Sequence, residues 1–489
     1  MAKLLHIKDR FRSLSEPAKA TIAFAVCMFL QKGISVLTTP IFTRIMPTDQ
    51  YGYYAVFTSW LEIVSVFATF KIGGSIYMRA LIKFEDRRDE LTSSTIGLGS
   101  LLVCVCSIVY YIFRRELNSI MGLSTGVVGV MLALCWIELA YDLWASQQRC
   151  DYKFFGYAIL TVFISVLKPT VGTIAVLSVD SMKAEARIYS QAIVEFICYI
   201  WIVVIFLYKN HHVVNLRFWR YSLALNTPLV PHYLSRIVLG QCDRVMINYM
   251  IGVTEAGIYS LGHSLAWLLT LVTNSILSTL NPWMFRCIKR KDFDRLNTIC
   301  LRLLAMVACV GWVMILSAPE IVSVFAPDEY HMSIWVIPPL CMSVYFTFLY
   351  SLFAVFEYYY EKTRYMMAVS VLGGVLNIVL NYYFIRWFGM IAAGYTTMFC
   401  YIVFAIIHCC CMKLILREEK IENMVFSVKQ ICLISILFVI IGFITMLLYG
   451  NSILRYVCVL VMAVFAWLRR SEICNVFRTS LDGDKNDCD

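Results

Sequence analysis

The chain has 489 residues, of which 60% are apolar and only 15% are charged. An ordinary soluble domain carries about 25% charged residues, so this composition excludes a soluble globule that must cover itself with water-compatible surface. The mean hydropathy of +0.73 indicates that lipid is the solvent. The net charge of +10 does not indicate nucleic-acid binding, because Lys and Arg lie in short connectors between apolar runs.

Fourteen apolar runs, each of roughly the 20 residues that a membrane-spanning helix needs, follow one another along the chain. They begin near Ala20, Tyr53, Leu91, Gly122, Phe154, Ala186, Tyr221, Glu255, Asn297, Ser333, Thr363, Met390, Phe426 and Ile453. The run at 221–250 is interrupted by Pro228 and Pro231, so its ends are the hardest to place. We predict an all-α polytopic membrane protein with about fourteen transmembrane helices.

The distribution of Lys and Arg predicts the orientation of these helices. With the N-terminus inside, 30 of the 42 Lys and Arg residues lie in cytoplasmic segments and 8 in the opposite loops. Positive loops stay in the cytoplasm, so both termini are predicted to be cytoplasmic. Residues 1–19 are too charged for a cleaved signal peptide. The 19 cysteines fall in the apolar runs and are expected to be reduced and buried.

A short internal repeat relates the first and seventh runs. Residues 46–54 match residues 251–259 at a constant offset of 205, which pairs Gly52 with Gly257. Six spans fit within that offset, which predicts two halves of the same orientation. We therefore expect six-helix bundles at 1–210 and 211–415, followed by two further helices and a cytoplasmic tail at 416–489.

Basic side chains inside the spans are the first candidates for a binding site, since charge in the membrane is expensive and usually faces a polar interior. Lys32 lies mid-span in the first helix, and Arg236 lies in the seventh, where the repeat offset places it beside Lys32. Facing cations suit an anionic substrate, with Gln31 and His232 as hydrogen-bonding neighbours. Lys168, just before a proline in the fifth helix, is a further candidate. The alternative is that these cations snorkel to the interface or neutralise buried acids.

Carboxylates inside the spans are the candidates for ion coupling. Glu138 and Asp142 are four residues apart in the fourth helix, while Glu62 and Glu195 lie in the second and sixth. A buried carboxylate can exchange a proton or bind sodium, which would let an ion gradient drive transport. The alternative for Asp142 is simple pairing with Arg149 near the cytoplasmic end.

Other polar residues predict packing rather than chemistry. Asn377 and Asn381 are one helical turn apart and are expected to hydrogen-bond to neighbouring helices. No Gly-rich phosphate loop, metal-ligand cluster or paired nucleophile is visible in the sequence, so we predict no enzyme activity, no cofactor and no metal site.

Several segments in chain order resemble one family of membrane proteins. They are Pro40-Ile-Phe-Thr-Arg44, Gln50-Tyr-Gly-Tyr-Tyr54, Pro228-Leu-Val-Pro-His-Tyr-Leu-Ser235, Asp243-Arg244, Glu255-Ala-Gly-Ile-Tyr-Ser260, Ala318-Pro-Glu320, Asn377-Ile-Val-Leu-Asn-Tyr382, Phe388-Gly389 and Ala392-Ala-Gly394. Together they resemble the polysaccharide-transport branch, the Wzx-type O-antigen and capsule flippases, of the multidrug/oligosaccharidyl-lipid/polysaccharide exporter superfamily.

The resemblance implies two six-helix bundles around a central cavity, two extra C-terminal helices and alternating access. It implies a polyprenyl-pyrophosphate-linked oligosaccharide as the substrate, turned from the cytoplasmic to the periplasmic leaflet of the bacterial inner membrane. Arg244 joins Lys32 and Arg236 as a candidate for binding the headgroup. The expected partners are this lipid, membrane lipids, a coupling ion (H⁺ or Na⁺) and, as a further candidate, the polysaccharide polymerase machinery.

Two rival functions remain open at this point. A multidrug or small-cation antiporter of the same superfamily would share the fold, but it calls for a carboxylate-rich cavity rather than basic groups. A membrane glycan polymerase or ligase would act on the same lipid-linked substrates. Such enzymes carry a long periplasmic loop with reactive side chains, whereas all the predicted outer loops here are short.

Overall fold

The structure, a computed structural model, describes residues 15–421 and 425–468. The described residues form eighteen α-helices with three short 3-10 segments, and no β-strand occurs among them. This architecture confirms the predicted all-α fold class. The predicted cytoplasmic ends at residues 1–14 and 469–489 lie outside the described residues.

The helices follow the predicted apolar runs. In chain order they are α1 (Glu16–Ile45), α2 (Thr48–Thr69), α3 (Ser75–Lys83), α4 (Arg88–Ile112), α5 (Arg114–Met121), α6 (Thr125–Cys150), α7 (Phe154–Leu177), α8 (Lys183–Lys209), α9 (Leu216–Asn226), α10 (Val230–Met250), α11 (Val253–Arg290), α12 (Phe293–Leu316), α13 (Ala318–Phe325), α14 (Ile337–Tyr359), α15 (Thr363–Phe388), α16 (Ile391–Glu418), α17 (Val428–Met446) and α18 (Ser452–Leu468). Eleven helices of the described chain are long and apolar enough to cross a membrane. The predicted runs that begin at Tyr53, Tyr221 and Ile453 correspond to α2, to α9 with α10, and to α18.

The interrupted seventh run is two helices rather than one. α9 ends at Asn226, and the 3-10 segment Thr227–Leu229 separates it from α10. Pro228 lies within that segment and Pro231 in the first turn of α10. Proline lacks a backbone N–H, so it is tolerated at a first helical turn but disfavoured in a helix interior. The prolines therefore account for the break.

Polar residues cap several helix starts, where backbone N–H groups have no partner within the helix. The Ser124 hydroxyl accepts a hydrogen bond from the Val127 N–H at 3.4 Å before α6. The Asn215 side chain does the same for α9, and the Asp292 carboxylate for α12. Capping of this kind satisfies donors that lipid cannot.

The chain divides into two compact units, which we call unit 1 (Met1–Gly257) and unit 2 (Ile258–Asp489). In unit 1, α1 packs on α7, α7 and α6 pack on α8, and α2 packs on both α6 and α10. Its apolar core includes Ile72, Leu91, Val127, Met131 and Leu143, each of which is almost fully buried.

Unit 2 is organised around α14, the most enclosed of the apolar helices, with 83% of its most apolar stretch buried. α16 packs along α14, α15 packs on α16, and α12 packs on both α14 and α17. Large aromatic side chains fill the space between these helices, among them the fully buried Tyr345, Phe348 and Phe356.

Within unit 1, α2 meets the first turns of α11 at two glycines. A Cβ atom added to Gly52 would overlap the carbonyl oxygen of Val253, and one added to Gly257 would lie 2.5 Å from the Thr48 carbonyl oxygen. Only glycine permits two backbones to approach this closely. The contact joins the two residues that the repeat offset of 205 pairs.

Candidate functional site

All ten residues proposed from the sequence for binding or ion coupling lie in unit 1, on six helices. They are Gln31 and Lys32 on α1, Glu62 on α2, Glu138 and Asp142 on α6, Lys168 on α7, Glu195 on α8, and His232, Arg236 and Arg244 on α10. The described contacts bring several of them together in two separate groups.

The first group forms between α7 and α8, two helices long and apolar enough to span the membrane. The Lys168 ammonium donates a hydrogen bond to the Glu195 carboxylate and forms an ion pair with it. The Glu195 side chain is only 5% exposed, whereas 32% of the Lys168 side chain remains exposed. Glu195 Oε1 accepts this bond, but the buried Oε2 has no hydrogen-bond partner. One oxygen of the carboxylate is therefore still available to a proton or a cation.

A second carboxylate acts on the same ion pair. Glu195, Lys168, Asp142 and Lys71 all lie close enough to Glu138 to act on it electrostatically. We call Lys168, Glu195 and Glu138 the Lys168 cluster. Two carboxylates and one ammonium leave a negative charge uncompensated when all are ionised, and a low-dielectric interior favours uptake of a cation by such a group.

Asp142 lies one helical turn beyond Glu138 on α6, as the spacing predicts, and its side chain is exposed. The cations that act on it are Lys71 and Arg149. Arg149, the predicted partner, is thus one of two cations that act on Asp142. Lys71 belongs to the turn between α2 and α3 and is not among the predicted site residues.

Two further polar residues on α8 extend the Lys168 cluster. The Tyr54 hydroxyl donates a hydrogen bond to Gln191 Oε1 at 2.8 Å, and Gln191 lies one turn before Glu195. The Arg187 guanidinium lies between the rings of Phe42 and Tyr54, at 3.5 and 3.6 Å from their centroids. None of these residues is among the predicted site residues, although positions 187, 191 and 195 share one face of a helix.

The second group joins α2 to α10 through Gln241. The Gln241 amide nitrogen donates to a Glu62 oxygen at 2.9 Å. Its carbonyl oxygen accepts hydrogen bonds from Arg244 Nη1 at 2.7 Å and from the Ser59 hydroxyl at 3.1 Å. We call these four residues the Gln241 network. A predicted ion-coupling residue and a predicted headgroup residue thus lie at opposite ends of one hydrogen-bonded chain.

The remaining candidates are the most accessible. Gln31, Lys32 and Arg236 are exposed in the described chain, while His232 is partly buried. His232 Nδ1 is shielded from solvent and has no hydrogen-bond partner, and Arg236 follows one helical turn later. The pairing of Lys32 with Arg236 at one depth stays a prediction.

Comparisons with known proteins place the chain among membrane proteins of related fold. The family described as polysaccharide biosynthesis protein matches residues 18–288, and the MatE family matches residues 228–383. Protein 1 of the Lsg locus of Haemophilus influenzae is 22% identical over 386 residues, which cover 74% of this chain and 89% of that protein.

Two kinds of solved structure share the fold. The lipid II flippase MurJ in an inward closed conformation has a TM-score of 0.67 at 15% identity and covers 92% of this chain and 100% of its own. A multidrug resistance MATE family transporter in an inward-facing conformation has a TM-score of 0.61 at 13% identity, with 83% and 100% covered.

Proposed function

Because the chain belongs to the family of polysaccharide biosynthesis proteins, whose match covers more than half of it, we propose that it is a flippase for polyprenyl-pyrophosphate-linked oligosaccharide. The substrate would be an O-antigen, capsule or exopolysaccharide repeat unit, turned from the cytoplasmic to the periplasmic leaflet of a bacterial inner membrane. Alternating access by bundles at 1–210 and 211–415, with cytoplasmic termini, completes the proposal. The protein acts as a transporter, not as an enzyme.

The chemistry of such a substrate explains what the protein must supply. Moving sugars and a pyrophosphate from water into hydrocarbon has a large unfavourable free energy, because their hydration is lost. They therefore need a polar passage through the protein while the lipid tail stays in the bilayer. A fold shared with a lipid II flippase is consistent with that task. We assign binding of the pyrophosphate to Lys32, Arg236 and Arg244, with Gln31 and His232 as hydrogen-bonding neighbours.

One observation carries the proposal of ion coupling: the Glu195 carboxylate, with one oxygen on Lys168 and the other buried without a partner, shares that single lysine with a second carboxylate, Glu138. Uptake of H⁺ or Na⁺ there would balance the charge of Glu138 and weaken the hold of Glu195 on Lys168. Lys168 would then be released to interact with the anionic headgroup. Asp142 and Glu62 are the alternative coupling sites, since each lies in the same unit.

The central test is complementation of a bacterial strain that lacks its own flippase, scored by lipid-linked oligosaccharide reaching the outer leaflet. We expect the native chain to restore surface polysaccharide and the double variant Lys32→Gln with Arg236→Gln to fail. Charge-assisted contacts to phosphate contribute about 1.5–3 kcal/mol each, so the loss should exceed about 100-fold.

Lys153→Gln is the matched control, because Lys153 is an exposed lysine that pairs with Asp151 beyond the end of α6. It should transport normally. All variants must reach the membrane in equal amounts. Normal surface polysaccharide in the double variant would refute the headgroup assignment.

A multidrug or small-cation antiporter is the second candidate, because the MatE family matches residues 228–383 and the carboxylates of the Lys168 cluster could bind a cationic substrate. The same strain distinguishes the two functions. An antiporter would lower the accumulation of a cationic dye without restoring surface polysaccharide. A flippase would restore surface polysaccharide and leave dye accumulation unchanged.

A further inference from the structure

A groove of about 600 Å³ lies between α4 and α6 on the side of unit 1. This volume is within the range of about 300–1,000 Å³ that is typical of small-molecule sites in proteins. Nearly all of the groove surface is apolar. The side chains beyond it on α4, among them Ile108, Val109 and Ile112, are about half exposed, which is expected of a face that contacts lipid.

Small side chains on both helices create the groove. On α4, Ser100, Cys104 and Ser107 recur at intervals of four and three residues, and on α6 Gly129 and Ala133 lie opposite at the same kind of spacing. Each set occupies one face of its helix. A Cβ atom added to Gly129 would meet no atom within 4 Å, so the protein itself leaves this space unfilled.

The two serine hydroxyls that line the groove are both hydrogen-bonded within the protein. The Ser107 hydroxyl donates to the Val103 carbonyl at 2.8 Å. The Ser100 hydroxyl donates to the Ile96 carbonyl at 2.9 Å and accepts from the Trp136 indole at 2.8 Å. With these groups satisfied internally, the space suits a hydrocarbon chain rather than a polar ligand.

Two arginines stand at one end of the groove. The chain from α4 into α5 carries Arg114 and Arg115, both exposed, directly after Tyr111, which lines the groove. The Arg114 guanidinium lies 5.3 Å from the Tyr111 ring centroid. In the described part of the chain neither arginine forms an ion pair with a carboxylate. Among the residues that the structure describes, the groove-lining Tyr111 is therefore followed by two positive charges that no protein carboxylate pairs with.

We propose that this groove binds one anionic phospholipid of the surrounding membrane, with an acyl chain between α4 and α6 and the phosphate on Arg114 and Arg115. The apolar floor fits the chain, and the unpaired guanidinium groups fit a negatively charged headgroup. Hydrogen bonds from the Tyr110 hydroxyl to Asn118 at 2.7 Å and from Asn118 to Thr125 at 2.8 Å connect α4, α5 and α6 beside the groove. Bound lipid would hold α4, α5 and α6 together.

The test uses the full-length purified protein in nanodiscs that contain phosphatidylglycerol and phosphatidylcholine in equal amounts, with the retained lipid identified by native mass spectrometry. We expect the native chain to retain phosphatidylglycerol selectively. The double variant Arg114→Gln with Arg115→Gln should reduce that selectivity about 30-fold. Each basic residue near an anionic lipid surface strengthens binding by a factor of about 5, and two such factors multiply. Gly129→Leu, which fills the groove, should remove the bound lipid while both arginines remain.

Lys153→Gln removes an exposed positive charge elsewhere and should retain the lipid as the native chain does. Equal retention of both lipids by the native chain would overturn the proposal, as would unchanged phosphatidylglycerol binding in the arginine variant. If a variant fails to fold, addition of phosphatidylglycerol to the native chain still decides the matter, since it should raise the melting temperature and phosphatidylcholine should not. None of these readouts depends on transport.

Discussion

Glu195 in unit 1 and Glu357 in unit 2 are both buried carboxylates, yet their surroundings differ. Glu195 shares one partly exposed lysine with a second carboxylate, Glu138. Glu357 pairs with the His408 ring at 2.6 Å, and these side chains are 0% and 3% exposed. As in Glu195, the other carboxylate oxygen of Glu357 is buried without a hydrogen-bond partner, so the two sites differ in the charges around them. Glu357 and His408 pair one acid with one base, whereas the Lys168 cluster sets two carboxylates against one ammonium.

Two buried amide side chains of unit 2 also find their partners within the protein. The Asn377 side chain donates to the Thr397 hydroxyl at 3.2 Å, and the Asn381 side chain donates to Asn377 at 3.2 Å. This confirms the predicted hydrogen bonds from α15 to a neighbouring helix. The comparison teaches that charge balance and exposure, rather than the mere presence of an ionisable residue in a span, separate a candidate for ion coupling from a packing element.

The largest effect should come from breaking the balanced pair in unit 2. His408→Ala leaves the fully buried Glu357 without its base, which should lower the free energy of unfolding by about 3–5 kcal/mol. Reversible unfolding in detergent micelles measures this loss. Replacing both residues by leucine is the control and should recover most of the stability, because an apolar pair needs no partner. If His408→Ala were as stable as the native chain, Glu357 would not depend on His408, and this prediction would be wrong.

A change in the Lys168 cluster of unit 1 should alter transport rather than stability. Glu195→Gln keeps the shape of the side chain but removes its charge, so ions can no longer be taken up there. We expect stimulation of transport by an imposed proton or sodium gradient to fall about 5- to 150-fold, the usual range of coupling between two sites. Proteoliposomes report this directly. Glu357→Gln is the matched control and should keep its response to the gradient; equal losses in both variants would erase the distinction between the units.

Glycine contacts offer a further comparison between the units. In Gly52→Ala the new methyl group meets the Val253 carbonyl, whereas in Gly373→Ala it meets the ring of Phe404. A side chain can rotate away more easily than backbone, so the unit 1 variant should lose more stability, about 1–3 kcal/mol. Melting temperatures of the two proteins measure the difference. A lower melting temperature for Gly373→Ala than for Gly52→Ala would contradict this prediction. It would show that the backbone around Gly52 shifts easily to admit a methyl group.

The smallest effects should come from single hydroxyl groups. Tyr54→Phe removes the hydrogen bond to Gln191 in unit 1, and Tyr345→Phe removes the 3.0 Å hydrogen bond between Tyr345 and Ser435 in unit 2. Each should cost about 0.5–1.5 kcal/mol. The second should cost more, because it strands a buried serine hydroxyl. Denaturation curves of both variants, recorded under one set of conditions, test that order.

Much of the fold was predictable because its signals are local. Hydropathy located the spans, and Pro228 with Pro231 marked the place where α9 gives way to α10. The resemblance to the polysaccharide exporters was likewise readable from short segments, and the family match confirms it. The uncharged Gln191 and Gln241 escaped notice, because a neutral side chain in an apolar helix gives no signal by its charge.

The amino-acid sequence by itself determined that this protein is a bundle of membrane helices, since each span must satisfy its own backbone hydrogen bonds and face lipid with apolar side chains. It also supplied the candidate charges. Only the tertiary structure decided that Lys168 pairs with Glu195 and that Gln241 joins Glu62 to Arg244. Those partners are distant in the chain, and which faces of two helices meet depends on packing between them, which no local pattern records.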